Sequence, residues 1–183
     1  MIKKEKYFYI NTIQDLDLDY IKKTKARLII RDKIKHDYSQ LYKFITKCNN
    51  KRIPVYIANN IRLLFKLRLH RFYISSANLK NYNWLYKTNK NIQIIGGAHN
   101  NSEITQKGNQ GCSKIVLSRL FRSYKIGFFN TVKFNMLTLN KNISFIALGG
   151  INKTNYKKLK MINCLGYAML SEPLKKPKYL LNI

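Results

Sequence analysis

Ser144-Phe145-Ile146-Ala147-Leu148-Gly149-Gly150 is the stretch on which the reading of the fold turns. Ser144–Ala147 is a short apolar run suited to a strand, and the two glycines end it. Tyr156–Met161 then reads as a helix, and Gly166–Met169 as a second strand. Strand, helix and strand at this spacing form a unit whose two strands lie parallel.

Working back along the chain, the same alternation recurs. Tyr7–Ile10, Leu28–Ile30, Val55–Ile57, Arg71–Ile74, Gln93–Ile95 and Lys114–Leu117 are short runs rich in β-branched and aromatic residues. Between them, Leu16–Lys25, Tyr38–Cys48, Ile61–Leu67, Asn81–Thr88 and Ser102–Lys107 have helical character, and Val132–Leu139 follows a long loop, 119–130. Leu41, Phe44 and Ile45 recur at helical spacing. Asp15, Asp17 and Asp19 lie where negative charge suits a helix N-terminus, and Ser102 is the expected cap of its helix. Leu174–Leu181 reads as an irregular closing helix, broken by Pro173 and Pro177 at its start and within it. Eight strands alternating with helices predict an α/β fold, a closed (β/α)8 TIM barrel, over an open doubly wound sheet. Such barrels typically need about 200 residues or more, so 183 residues imply a minimal one with short helices. No linker, repeat or low-complexity segment interrupts the chain, and residues 1–183 read as one domain.

The composition is globular, with 45% hydrophobic and 13% aromatic residues. The charge is lopsided: 35 Lys and Arg against 8 Asp and Glu, a net charge of +27. That balance first suggests a polyanion partner. Only eight of the basic residues are Arg, however, and the lysines are spread along the whole chain. The abundance of Lys, Asn, Ile, Tyr and Phe fits a bias towards A- and T-rich codons. Nucleic acid is therefore not the expected partner, although anionic small molecules are drawn to such a surface. Trp84 and the many tyrosines are expected in the core and not as stacking platforms. Cys48, Cys112 and Cys164 have no metal-ligand spacing and read as free thiols of a cytoplasmic protein. No apolar run approaches the roughly 18 residues of a membrane span, and no signal peptide is expected.

In a barrel of this type the working residues follow the carboxyl ends of the strands. These positions hold Arg31-Asp32-Lys33, Asn59-Asn60, Ser75-Ser76-Ala77-Asn78, Gly97-Ala98-His99, the basic loop from Ser118-Arg119 to Lys125, Gly149-Gly150 and Leu170-Ser171. Lacking Cβ atoms, Gly149 and Gly150 let backbone amides approach a phosphate. A helix N-terminus after the last strand would add further N–H groups.

Taken in order, these segments resemble the thiamine phosphate synthase and TenI-type thiazole tautomerase family, over roughly Tyr7 to Ser171. Leu28-Ile29-Ile30-Arg31-Asp32-Lys33 is similar to its Gln-x-Arg-x-Lys strand, and Ile57-Ala58-Asn59-Asn60 to its Ile-Asn-Asp segment. Phe72 to Asn78 resembles the stretch ending in Gly-Gln-x-Asp, Gly97-Ala98-His99 its Ser-x-His, Ala147 to Ile151 its Gly-Gly-Ile turn, and Gly166 to Ser171 its closing Gly-x-x-x-x-Ser. The resemblance implies that Gly149, Gly150, Leu170 and Ser171 hold the phosphate of a thiazole phosphate. It implies that Arg31, Lys33, Asn59, Asn60 and Asn78 face the pyrimidine diphosphate, with Lys125 at the departing pyrophosphate. The implied reaction joins hydroxymethylpyrimidine diphosphate to thiazole phosphate with release of pyrophosphate.

The family's two metal-binding carboxylates fall on Asn60 and Asn78, its Gly-Gln pair on Ser75-Ser76, and its Gly-Pro after the sixth strand on Ser118-Arg119. No metal site is therefore expected, and Mg2+ would enter only if carried by the substrate pyrophosphate. Three readings are open. A divergent synthase would use Arg119, Arg122 and Lys125 in partial place of the metal. A metal-independent tautomerase would use His99 as acid and base, since imidazole exchanges protons near neutrality. A barrel without catalysis would bind a phosphorylated ligand or polyanion. Small phosphorylated substrates are the expected partners, together with the option of a homodimer and with no membrane. His36 and His70 are expected at the surface.

Overall fold

The computed structural model describes residues 4–31, 37–122, 127–170 and 173–174, with Tyr86 by its backbone only. Eight strands form a closed, wholly parallel barrel in chain order. They are β1 (Glu5–Ile10), β2 (Arg27–Ile30), β3 (Val55–Ala58), β4 (Arg71–Ile74), β5 (Gln93–Ala98), β6 (Lys114–Ser118), β7 (Ser144–Leu148) and β8 (Gly166–Met169). Closure comes from β1 pairing with both β2, Tyr7 opposite Arg27, and β8, Tyr7 opposite Ala168. The connecting helices are α1 (Leu18–Lys23), α2 (Tyr38–Asn50), α3 (Ile61–Lys66), α4 (Asn83–Thr88), α5 (Asn101–Asn109) and α6 (Asn130–Thr138). Only α2 exceeds nine residues, which is how eight units fit a short chain. Tyr156–Met161, expected as a helix, is a 3-10 helix. Of the expected closing helix only Leu174 is described, and it forms an isolated antiparallel bridge to Leu16. Among the described residues no helix is long and apolar enough to cross a membrane.

Local chemistry explains where the helices begin. Asp17, Asp37 and Asn60 accept a backbone N–H of the first turn of α1, α2 and α3. The cap of α5 is Asn100 and not Ser102: its Oδ1 accepts from the Glu103 amide at 2.8 Å. Glu103 answers through Oε1, which takes the Asn100 side-chain amide at 3.0 Å, and through Oε2, which takes the His99 backbone N–H at 2.8 Å. This reciprocal pairing is a variant of the capping box. Asn100, two positions nearer the strand end, satisfies orphan amides that Ser102, inside the helix, cannot.

One face of each strand packs outward against the helices, with Phe8, Leu28, Phe72, Leu117 and Phe145 in those layers. The other face fills the barrel with Tyr7, Tyr9, Ile29, Tyr56, Ala58, Tyr73, Ile95, Val116, Ile146 and Ala168. Four inward tyrosines come from β1, β3 and β4, and Ile95, Val116, Ile146 and Ala168 fill the interior from β5 to β8. Tyr9 and Tyr73 meet edge to face with centroids 5.4 Å apart. A Cβ at Gly97 would overlap the Tyr73 hydroxyl. Trp84, by contrast, is 47% exposed and does not join the core. Tyr82 and Leu85, three residues apart, take the buried side instead. Cys48 and Cys112 are buried free thiols and Cys164 is half-buried.

The amino-terminal end of the barrel is closed by ions. Glu5 accepts from Arg27 Nη2 at 2.9 Å, from Lys114 Nζ at 2.9 Å and from Tyr7 Oη at 2.5 Å. Burial raises the Glu5 pKa, but the hydrogen bonds from Tyr7 and Lys114 and the charges of Arg27 and Lys114 outweigh it, leaving a net lowering. A lowered carboxyl pKa contributes stability above the unfolded-state pKa, and that contribution is lost as pH falls through the folded-state value. Glu5→Gln is expected to destabilise the barrel by about 1–3 kcal/mol at neutral pH and to flatten the acid side of the stability profile, as read by urea unfolding between acid and neutral pH. Gly97→Ala is expected to cost about 1–3 kcal/mol through overpacking. Combining it with Tyr73→Phe should recover most of the loss in the same unfolding measurement, because the clash is with the hydroxyl.

Candidate active site

The carboxyl ends of the strands open into one cavity of about 1020 Å3. Of the site residues read from sequence, Arg31, Asn59, Asn78, His99, Gly149, Gly150 and Leu170 line it together. Lys33, Lys125 and Ser171 lie outside the described residues, as do His36, Asp32, Glu172 and the region after β8 expected to supply a helix N-terminus. Asn60 is not part of the lining. Its side chain is spent on capping α3, with Oδ1 accepting from the Leu63 amide at 3.0 Å.

The β3 and β4 side of the mouth is a closed set of amide and hydroxyl bonds. Asn59 Oδ1 accepts from the Ser75 amide at 3.0 Å and from Asn78 Nδ2 at 2.9 Å, while Asn59 Nδ2 donates to Ser75 Oγ at 3.0 Å. Asn78 Nδ2 also donates to Tyr82 Oη at 3.1 Å, and Asn78 Oδ1 accepts from the Lys80 amide at 3.0 Å. This loop is pinned from behind by α5. Lys107, fully buried, donates to the Asn78 carbonyl at 2.8 Å and to Gln110 Oε1 at 2.9 Å. Gln110 Nε2 donates to the carbonyls of Asn78 at 2.9 Å and Lys80 at 2.8 Å. Burial lowers the Lys107 pKa, against the nearby Cys112 and Glu103 that raise it. Burial pushes the Cys112 thiol up to about 12.

The donor set does not suit a divalent cation. Hard cations take carboxylates with substrate phosphates, and no Asp or Glu is among the described lining residues. The two positions that would carry such carboxylates hold amides already engaged elsewhere. Among the described residues there is also no cluster of three His, Cys, Asp or Glu side chains.

The β5 to β7 side differs in character. His99 Nδ1 lies 3.1 Å from the Ser118 carbonyl oxygen and 2.9 Å from Ser118 Oγ. With Nδ1 protonated it donates to that carbonyl and Nε2 keeps its lone pair; with Nδ1 unprotonated it accepts from the Ser118 hydroxyl, so the two contacts admit either tautomer. The backbone amide of His99 is held by Glu103, so both ends of the residue are fixed. Gly149 and Gly150 have φ of 103° and 66°, the left-handed region in succession. The β6 loop lies directly over them: the Leu120 amide donates to Leu148 O at 2.9 Å and the Phe121 amide to Gly149 O at 3.1 Å. Asn155 Nδ2 holds Gly150 O at 2.7 Å. Of the extra cations on the β6 loop, Arg119 lines the cavity, while Arg122 lies beside Gly150 through its backbone carbonyl.

Sequence reasoning missed Tyr9 and Tyr73, which form the floor of the cavity. Tyr9 shares the strand face of Tyr7 and sits one residue short of the end of β1, so period-two alternation was the available signal. Burial, followed by the adjacent Tyr73 hydroxyl, raises the Tyr9 pKa well above that of a free phenol. Tyr9 Oη is buried beside the Tyr73 ring and meets no hydrogen-bond partner at full geometry among the described residues. Ser118 was read as a departure from a Gly-Pro turn, and its contact with His99 joins residues 19 apart, which linear order does not reveal.

No family model and no curated protein sequence matches this chain. Solved structures do resemble it in fold. Thiamine phosphate pyrophosphorylase from Pyrococcus furiosus superposes with a TM-score of 0.71 at 12% identity, covering 93% of this chain and 87% of that one. N-(5'-phosphoribosyl)anthranilate isomerase from the same organism gives 0.68 at 14% identity, covering 96% and 94%. Thiamine phosphate pyrophosphorylase from Bacteroides thetaiotaomicron gives 0.61 at 15% identity, covering 92% and 82%. At these identities the likeness establishes a small (β/α)8 barrel built like those enzymes.

Proposed function

We propose that this barrel is a metal-independent acid–base enzyme acting on a small phosphorylated heterocycle, a tautomerase of the thiazole phosphate type, with His99 as the proton carrier. The observation that carries this reading is the hydrogen bond between His99 Nδ1 and the Ser118 carbonyl. In the tautomer that donates through Nδ1 to that carbonyl, Nε2 is the basic nitrogen of a residue at the rim of an otherwise cationic cavity. Nε2 takes a proton from one atom of the bound heterocycle, and the electron pair of that bond enters the ring π system. The imidazolium so formed returns a proton to another ring atom, so substrate and product have the same composition. Gly149 and Gly150 support the phosphate end, because consecutive left-handed residues turn backbone amides towards one concave side. Among the described residues nothing accepts from those two amides. Arg31 and Arg119 add positive charge at two edges of the same cavity, and a sequestered site strengthens such attraction.

A second reading, the condensation of hydroxymethylpyrimidine diphosphate with thiazole phosphate, is favoured by one observation. At about 1020 Å3 the cavity is at the upper end of the usual range for ligand pockets, which leaves room for two small substrates. In that reading Arg31 would face the pyrophosphate together with Lys33 and Lys125, which lie outside the described residues. The amide chemistry of Asn60 and Asn78 supports the tautomerase reading over this one.

The two separate in one assay series. Thiazole phosphate tautomer interconversion, followed by NMR with EDTA present, is expected with the wild-type protein. His99→Ala should slow it by about 10²–10⁴-fold while leaving thiazole phosphate affinity within a few-fold. Pyrophosphate release on mixing both substrates, with no interconversion of the thiazole alone, would instead select the condensation. Retained interconversion in His99→Ala would remove His99 from the chemistry.

A further inference from the structure

We infer that Arg119 is the side chain that anchors an oxyanion against the Gly149–Gly150 turn, and that the turn is incomplete as a binding site without it. This rests on the phosphate-end reading above but concerns a residue which that reading does not require.

Three observations converge on Arg119. First, its stem lies against the bare Cα of Gly149: a Cβ built there would be 2.9 Å from Arg119 Cβ and Cγ and 3.1 Å from its Cα. Both residues line the cavity. The absence of a side chain at Gly149 is thus what admits Arg119, so the turn and the cation form one unit. Second, the backbone holds Arg119 in register. Its carbonyl accepts from the Phe129 amide at 2.8 Å, and the amides of Leu120 and Phe121 extend the pairing of β6 with β7 over the turn. Third, the Nη1 atom of Arg119 is buried and has no hydrogen-bond acceptor among the described residues. No Asp or Glu among the described lining residues balances it.

A guanidinium nitrogen in that state is costly, because buried ions are ordinarily paired and hydrogen-bonded. The planar fork of arginine matches the spacing of two oxygens of a phosphate or carboxylate. The missing partner is therefore an oxyanion, with one edge met by the guanidinium and another by the amides of consecutive left-handed glycines. A phosphate monoester fits better than a carboxylate, since a tetrahedral group presents oxygens to both at once. The saturated amide network of Asn59, Ser75 and Asn78 on the opposite side leaves no comparable vacancy for the anion.

Inorganic phosphate serves as the probe, in a chloride buffer of constant ionic strength, with affinity read by calorimetry and by the rise in Tm. Wild-type protein is expected to bind it. Arg119→Met should weaken binding by about 10- to 100-fold, and Arg119→Lys should recover part of the loss. Arg62→Met, which removes the same charge from the exposed face of α3, should change affinity less than threefold. The Tm without phosphate is the discriminating readout: Arg119→Met should leave it unchanged or raise it, since a half-buried cation with an unpartnered Nη1 is removed. A Tm several degrees lower would mean that Arg119 is paired within the protein, and would overturn the inference. So would unchanged phosphate affinity in Arg119→Met, or wild-type binding of phosphate no stronger than of chloride, even if the protein turns over thiazole phosphate. Arg119-dependent phosphate binding without either reaction would retire the proposed function and uphold the anchor.

Discussion

Closing eight short strands into a ring encloses a volume that one face of each strand must fill, and everything at the mouth depends on how that filling is done. Here β1, β3 and β4 contribute tyrosines, and the opposite arc contributes Gly97, Val116 and Ala168. The Tyr73 hydroxyl occupies the room left by the bare Cα of Gly97 on the neighbouring strand, as interior packing density demands. The consequence is an asymmetric floor. Phenol rings lie on the β1, β3 and β4 side, and aliphatic side chains fill the β5 to β8 side, at whose mouth His99, Arg119 and the glycine turn stand.

The two halves of the mouth divide labour on the same principle. On the β3 to β4 side Asn59, Ser75, Asn78 and Tyr82 satisfy one another, and Lys107 with Gln110 locks the loop from behind. Such a network is rigid because every member is bonded. On the β5 to β7 side polar groups are held by their stems and backbones, yet among the described residues Nη1 of Arg119 has no acceptor and the contacts of the His99 ring are made at Nδ1. A rigid wall facing a wall with unsatisfied groups is what a ligand site requires.

Much of the barrel was legible in the linear sequence. The eight strands fall within a few residues of the runs that predict them, because period-two burial and turn residues are local properties. The shared lining by Arg31, Asn59, Asn78, His99, Gly149, Gly150 and Leu170 was legible for the same reason, since strand ends all emerge on one side. Local ambiguity accounts for the misses at α4 and α5. Asn100 and Ser102 both have capping chemistry, and the reciprocal bond with Glu103 decides between them. Trp84 is apolar enough for a core, but Tyr82 and Leu85 already cover the inward face of that short helix.

What the sequence determined by itself was the number, order and direction of the elements, and so the end of the barrel at which chemistry sits, because those follow from spacing and propensity between near neighbours. Only the tertiary structure decided that Asn60 is spent on a helix cap, that Ser118 holds the Nδ1 edge of His99, and that the stem of Arg119 occupies the space a side chain at Gly149 would take. Each of the last two contacts joins different βα units. Ring closure sets such distances, and spacing along the chain carries no record of them.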